Sequence, residues 1–359
     1  LSSDAIAGFY SSPVLKSVTR VAGFGIVISA LACVPVALLT RQMDFKKQAV
    51  VNLTSSLVSG ISGVIFAYKG YAVWALVIQT LAGNMAGTIG FWIVSKWRPR
   101  FIFDRQSFIS MNRYGYKIFL QGLGDVLFTK IYFPLIGKYF TPAQLGYYTN
   151  ANRFYEIFVR QVSNAFSRVL FPAFSSIQND NARVSRSYLM STELLFYLEV
   201  LATMILIITA RPFVAVLLTD KWLPAVPLMV LFFIEGIFFP LLMVNHNLLC
   251  SMGKSGTSLK IDIMKKALTF GSIFVTFRYG IQALIIGQLA ASFISFVASV
   301  IIVFKTLQIK DFSILKTVIL TFVIAALCAA IHFIFLEKAI SNDWLLLAAD
   351  VTLLPAAYF

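Results

Sequence analysis

The chain has 359 residues, of which 59% are hydrophobic and 13% charged, and phenylalanine alone fills 34 positions. Soluble domains average about 45–50% apolar and about 25% charged residues, so this composition excludes a soluble globular fold and indicates an all-α polytopic membrane protein. The net charge of +15 gives no reason to expect a nucleic-acid partner, because the basic residues fall mostly between apolar runs without an aromatic-interleaved basic module.

Glycine and proline scattered through the apolar runs, with no dyad alternation, point to helices rather than a barrel. Residues 1 to 20, with Pro13, Lys16 and Arg20, read as a loop or interfacial segment. The chain opens on Leu1 rather than Met, which reads as an internal piece of a longer protein, and no signal peptide precedes the first apolar run. A span needs about 20 apolar residues. That rule predicts eleven helices, near 21–40, 50–68, 73–94, 115–137, 147–170, 189–209, 226–249, 261–278, 282–304, 315–336 and 344–359, the last cut short. Alternate connections carry eighteen basic residues, among them Arg41, Lys46, Lys47, Arg98, Arg100, Lys254, Lys260, Lys265 and Lys266, against eight in the intervening ones. The richer set is therefore cytoplasmic and residues 1–20 lie outside. Ala75 to Ala82 echoes Ala283 to Ala290, and the basic loops upstream share the spacing, which suggests parallel repeats offset by about 208 residues. Trp74, Trp92 and Trp222 are expected at membrane interfaces.

Polar residues inside these spans carry the functional reading. The 115–137 helix holds Lys117, Gln121, Asp125 and Thr129 at a spacing of four, with Lys130 beside them. Asp125 is either a proton or cation site or half of a fixed ion pair. The next helix carries a stripe, Asn150, Arg153, Glu156, Arg160, Asn164 and Ser167, opposite Phe154, Tyr155, Phe158, Val159, Val162 and Phe166. An arginine near the centre of a membrane helix costs about 2.5–3.5 kcal/mol on insertion scales, so the stripe faces protein or a wet cavity. It reads as the wall of a cavity for an anion; the alternative is a seam of ion pairs tying helices together. Glu199 and Glu235 lie deeper than Glu193 and Asp262, which sit near the interface, and are second-choice functional positions. His246 and His332 are too far apart, and too far from other ligands, to hold a metal. Cys33, Cys250 and Cys328 read as packing residues. No Walker A loop, dinucleotide fingerprint, HExxH or GxSxG motif points to an enzyme, and the Met252-Gly253-Lys254-Ser255-Gly256 stretch reads as a turn.

Several stretches resemble the Wzx-type polysaccharide flippases of the multidrug/oligosaccharidyl-lipid/polysaccharide exporter superfamily. They are Arg41 to Lys47, Gly70 to Leu76, Trp97-Arg98-Pro99, Gly137-Lys138 through Leu145-Gly146-Tyr147-Tyr148, Phe171 to Gln178, Leu218 to Pro224 and Met252-Gly253-Lys254. The likeness runs from about residue 13 to about residue 335. It implies fourteen helices in two six-helix lobes plus two C-terminal helices. Residues 1–110 would be the remainder of the N-terminal lobe, 111–310 the C-terminal lobe and 311–359 the additional helices. Three helices would then be missing upstream, and the fragment alone would not transport.

The resemblance further implies translocation of undecaprenyl-pyrophosphate-linked oligosaccharide across the bacterial cytoplasmic membrane by alternating access, for surface polysaccharide assembly, with no cofactor or metal. On that basis Arg153 and Arg160, helped by Lys130 and Arg168, would attract the pyrophosphate. Asn150, Asn164 and Gln121 would bind sugar hydroxyls, and Asp125 or Glu156 would carry the coupling proton or sodium ion. Membrane lipid would take the isoprenoid tail, and a polysaccharide polymerase complex is a further expected partner. The rival functions are a small-cation exporter of the same superfamily, a non-transporting scaffold in a polysaccharide assembly complex, and an enzyme acting on lipid-linked sugars.

Overall fold

The structure is a computed structural model that describes residues 2–42, 44–96, 98 and 104–309. The expected helices near 315–336 and 344–359, and His332 and Cys328, lie outside the described residues. Those described are helical throughout, without a strand among them. The chain divides into two compact units, Leu1–Leu123 and Gly124–Phe359.

The first unit is built on α1 (Ser2–Phe9), α2 (Val14–Arg41), α3 (Phe45–Tyr68) and α4 (Val73–Ser95). Residues 2 to 20, expected as a loop or interfacial segment, are largely helical. Asp4 pairs with Lys16 at 2.8 Å and Arg20 at 3.6 Å, and Arg20 Nε donates to Ser3 Oγ, so the polar residues that read as a loop fasten α1 to α2. Pro13 sits at the N-cap of α2, where its missing N–H costs nothing. Contacts between the long helices run through small residues and backbone carbonyls. Thr88 Oγ1 donates to the Ile28 carbonyl at 2.9 Å, Trp92 Nε1 to Leu31 at 2.8 Å and Ser59 Oγ to Gln79 at 3.0 Å. A Cβ added at Gly83 would come within 2.9 Å of the Ser59 side chain, so the glycine is what lets α3 and α4 approach.

The second unit begins within α5 (Arg105–Lys130) and continues through α6 (Tyr132–Tyr139), α7 (Pro142–Tyr155), a π-helical segment (Glu156–Arg160), α8 (Gln161–Ile177) and α9 (Asn181–Leu218). A 3₁₀ turn (Asp220–Ala225) leads into α10 (Val226–Gly236), α11 (Phe238–Ser251), α12 (Ser255–Thr276) and α13 (Ile281–Leu307). Two of the predicted helices are broken, each for the same reason. Pro134 has no N–H for the Lys130 carbonyl, and α5 ends at Lys130; Pro240 has none for the Gly236 carbonyl, and α10 ends at Gly236. The predicted 147–170 helix is longer than expected, 142–177. Thr141 and Gln144 form a capping box at its start, and the Gln161 N–H reaches back five residues to the Glu156 carbonyl in its middle.

The main core gathers Tyr132, Tyr148, Tyr155, Val159, Phe232, Phe233, Leu284 and Ile285. A second cluster, around Phe174, Tyr188, Leu248 and Val303, carries a buried chain of hydrogen bonds. Tyr188 Oη donates to Asn245 Oδ1 at 2.8 Å, and Asn245 Nδ2 donates to Ser299 Oγ at 2.6 Å. The Met252-Gly253-Lys254 stretch is a turn, with Gly253 at φ +74° and the Lys254 N–H returned to the Leu249 carbonyl.

Candidate functional site

Within the second unit, the helices enclose a cavity of about 200 Å³ whose floor is aromatic and whose walls carry charge. The π segment brings Arg160 to it. On an uninterrupted helix Arg160 would continue the Asn150, Arg153, Glu156 row; the extra residue per turn instead puts it in line with Tyr148, Asn152 and Tyr155, which line the cavity. The room for this bulge lies opposite, at the break between α10 and α11, where a Cβ on Gly236 would come within 2.9 Å of Val159 Cγ2.

Helix α11 supplies Phe239, and two cations share its ring. The Arg160 guanidinium lies 5.1 Å from the ring centroid and Lys265 Nζ 6.0 Å, a favourable contact for both cations. Among the described residues Lys265 forms no ion pair. Its neighbour Lys266 pairs with Asp262 at 2.7 Å and lies over Phe128. Glu235, only 3% exposed, also lines the cavity and accepts hydrogen bonds from Gln288 Nε2 at 2.9 Å and Ser292 Oγ at 2.8 Å. The wall thus holds Arg160, Lys265 and Lys266 against Glu235 and Asp262.

Beside the cavity, Glu156 Oε1 accepts from Lys130 Nζ at 2.8 Å and from Asn152 Nδ2 at 3.3 Å, and lies 3.8 Å from Arg160. Of the residues expected from sequence, Arg160, Lys130 and Glu156 are therefore together. Arg153 and Asn164 are exposed and Asn150 partly buried, and none of the three lines the cavity. The side chains of Gln121, Asp125 and Arg168 lie outside the described residues.

Lys265 and Lys266 had the appearance of loop cations obeying the positive-inside rule. The helix expected from 261 starts instead at Ser255, which sets both lysines near its middle. A signal was present: Asp262, Lys265, Lys266 and Thr269 recur at three and four residues, the same periodicity as the arginine stripe, and all four line the cavity. Asn152 and Gln288 carried no such signal, one falling between two better candidates and the other alone in an apolar run.

The fold is that of a multi-pass, all-helical membrane protein, with six helices among the described residues long and apolar enough to span a bilayer. The chain belongs to the polysaccharide biosynthesis protein family, whose sequence profile it matches over residues 1–227. It is 26% identical over 238 residues to the succinoglycan biosynthesis transport protein ExoT of Rhizobium meliloti (strain 1021), covering 66% of this chain and 48% of ExoT. It is 25% identical over 282 residues to the teichuronic acid biosynthesis protein TuaB of Bacillus subtilis (strain 168), covering 78% and 58%. It is 20% identical over 281 residues to the lipopolysaccharide biosynthesis protein WzxC of Escherichia coli (strain K12), covering 77% and 56%. The chain thus spans about half the length of the curated relatives it matches. Among solved structures, the lipid II flippase MurJ in an inward closed conformation superposes with a TM-score of 0.79 at 13% identity, over 96% of this chain and 72% of that one. The resemblance to Wzx-type flippases read from the motifs is borne out.

Proposed function

We propose that this chain is part of a flippase that moves undecaprenyl-pyrophosphate-linked oligosaccharide units across the bacterial cytoplasmic membrane for surface polysaccharide assembly, and is a transporter rather than a catalytic enzyme. The observation that carries this reading is the convergence of Arg160 and Lys265 on Phe239 inside a cavity in an apolar bundle. Arg160, 3.8 Å from Glu156, and the partly buried Lys265, which forms no ion pair among the described residues, together present two positive charges to an anion that brings its own. The cavity, of about 200 Å³, has room for a pyrophosphate. On this reading the sugars lie outside it, where Arg153, Asn150 and Asn164 offer hydrogen-bonding groups. A small-cation exporter would need the opposite excess of charge.

The test replaces Arg160 and Lys265 together with Gln in the complete protein, in a strain lacking its own flippase. Hydrogen bonds to charged groups contribute about 1.5–3 kcal/mol each, so export is expected to fall about tenfold or more, with lipid-linked units accumulating inside. Surface polysaccharide staining at matched protein levels reads the outcome. Normal export would remove these two cations from the mechanism and leave them a structural feature of the bundle.

A further inference from the structure

The carboxylate of Glu235 has no place in anion binding as described so far. It lies at 3% exposure in the wall of a cavity that would receive a doubly negative group, and the two close partners it has, Gln288 and Ser292, are neutral donors on α13. The Lys265 ammonium on α12 and Tyr132, Tyr148 and Tyr155 on α6 and α7 line the same cavity. The other charged groups at this level are Arg160 on the π segment and Asp262 and Lys266 on α12, the last two paired with each other. Glu156 is held by Lys130 and Asn152, and Glu199, the other buried carboxylate among the described residues, lies on α9 and does not line the cavity.

An empty cavity and a filled one therefore pose opposite electrostatic problems. Without an anion, Lys265, which forms no ion pair among the described residues, needs a negative charge nearby, and Glu235 on the same wall supplies it, while Arg160 has Glu156 at 3.8 Å. With a pyrophosphate present, an ionised Glu235 would face two further negative charges in a wall poor in water, where the low effective dielectric strengthens their repulsion. A proton on the carboxylate removes that repulsion and frees Lys265 for the anion.

We propose that Glu235 is the proton-carrying group of this cavity, ionised while the cavity is empty and protonated when a pyrophosphate occupies it, so that substrate and one proton enter together. This rests on the assignment of the cavity to a pyrophosphate. Linkage is reciprocal, so a site that takes up a proton with its ligand must bind that ligand more tightly as pH falls.

The experiment uses the complete purified protein in lipid nanodiscs and the probe geranyl-pyrophosphoryl-glucose. Both phosphates of this probe are substituted, so its charge does not change between about pH 6 and about pH 8.5. Calorimetric titration in two buffers of different ionisation enthalpy should show uptake of about one proton per probe bound, and affinity should rise by up to about tenfold per unit fall in pH. Glu235→Gln should bind the probe at the tight level at every pH, without proton uptake. Wild-type binding with no proton uptake overturns the role of Glu235 and leaves the pyrophosphate reading intact, and so does a Glu235→Gln variant that keeps the wild-type pH dependence. Absence of binding by the wild type at any pH, or binding unaffected by Arg160→Gln with Lys265→Gln, overturns the pyrophosphate reading and this inference with it. The proton count is made on the wild type, so the test survives a variant that fails to fold.

Discussion

The two units solve helix association differently. In Leu1–Leu123, only 11% of the most apolar window of α2, α3 or α4 is buried, and the helices meet through Gly25, Gly83 and Gly90 and through side chains bonded to facing carbonyls. In Gly124–Phe359 the corresponding share for α9 is 50%, and the core is made of tyrosine and phenylalanine rings. Lipid gives no hydrophobic drive between helices, so the first unit depends on close approach and hydrogen bonds. The second encloses enough volume to have an inside, and an inside is what a buried Glu235 and a Lys265 without an ion pair require.

The sharpest way to break this contrast is at glycine. Gly236→Ala would push a Cβ to 2.9 Å from Val159 Cγ2, a stiff, buried neighbour in the π segment. Overpacking of this kind costs about 1–3 kcal/mol, only partly offset by the about 0.5–1 kcal/mol that alanine gains over glycine in a helix. The complete protein in detergent should unfold at a lower temperature. Gly23→Ala, on α2 with nothing within 4 Å of the added atom, should leave the unfolding temperature unchanged or raise it. Equal losses from both would mean that the contact with Val159 is not what makes Gly236 sensitive.

A smaller effect is expected from Trp92→Phe, which keeps an aromatic ring and deletes the indole N–H donated to the Leu31 carbonyl. Interhelical hydrogen bonds in membrane proteins average about 0.6 kcal/mol and reach about 1.7. The thermal shift should accordingly be less than that of Gly236→Ala, and no shift at all would show that this hydrogen bond adds nothing to the association of α2 and α4.

Much of the fold was legible in the sequence because lipid imposes a simple rule, one apolar run per span, and the described spans fall where that rule sets them. Breaks within spans were less so. Pro134 and Pro240 were visible, yet both lie inside runs apolar enough to count as single helices, so hydropathy alone could not divide them. The arrangement of the site was legible only in part. A stripe at three- and four-residue spacing identifies Arg160 and Glu156 correctly as neighbours, but it assumes an α-helix, and the π segment turns Arg160 away from the Arg153 row. That bulge depends on the space that Gly236 leaves on another helix, a tertiary cause with no local mark. Lys265 was hidden by the rule that explained the other lysines, since a cation near a predicted helix start looks like topology until the helix proves to begin six residues earlier than predicted.

The smallest expected effect concerns one helix end in the first unit, where contacts are few enough for a single cap to be felt. Asp44 precedes α3 and accepts the Lys47 N–H at 3.2 Å, while Lys47 Nζ lies 2.6 Å from its other oxygen. The hydrogen bond from the Lys47 side chain, followed by that from its backbone, holds the Asp44 carboxyl below its ordinary value of 3.8. A carboxyl whose value falls on folding contributes its stabilisation above the unfolded value and loses it as pH drops through the native one. The first turn of α3 should therefore be fully capped at neutral pH and should loosen only below about pH 4. Amide hydrogen exchange at Lys47 and Gln48, corrected for intrinsic rates, should quicken over that acid range in the wild type. In Asp44→Asn, which can still cap but does not titrate there, exchange should not depend on pH in this way. The same acid response in both proteins would assign the loosening to some other carboxyl and leave α3 capped by hydrogen bonding without a contribution from charge.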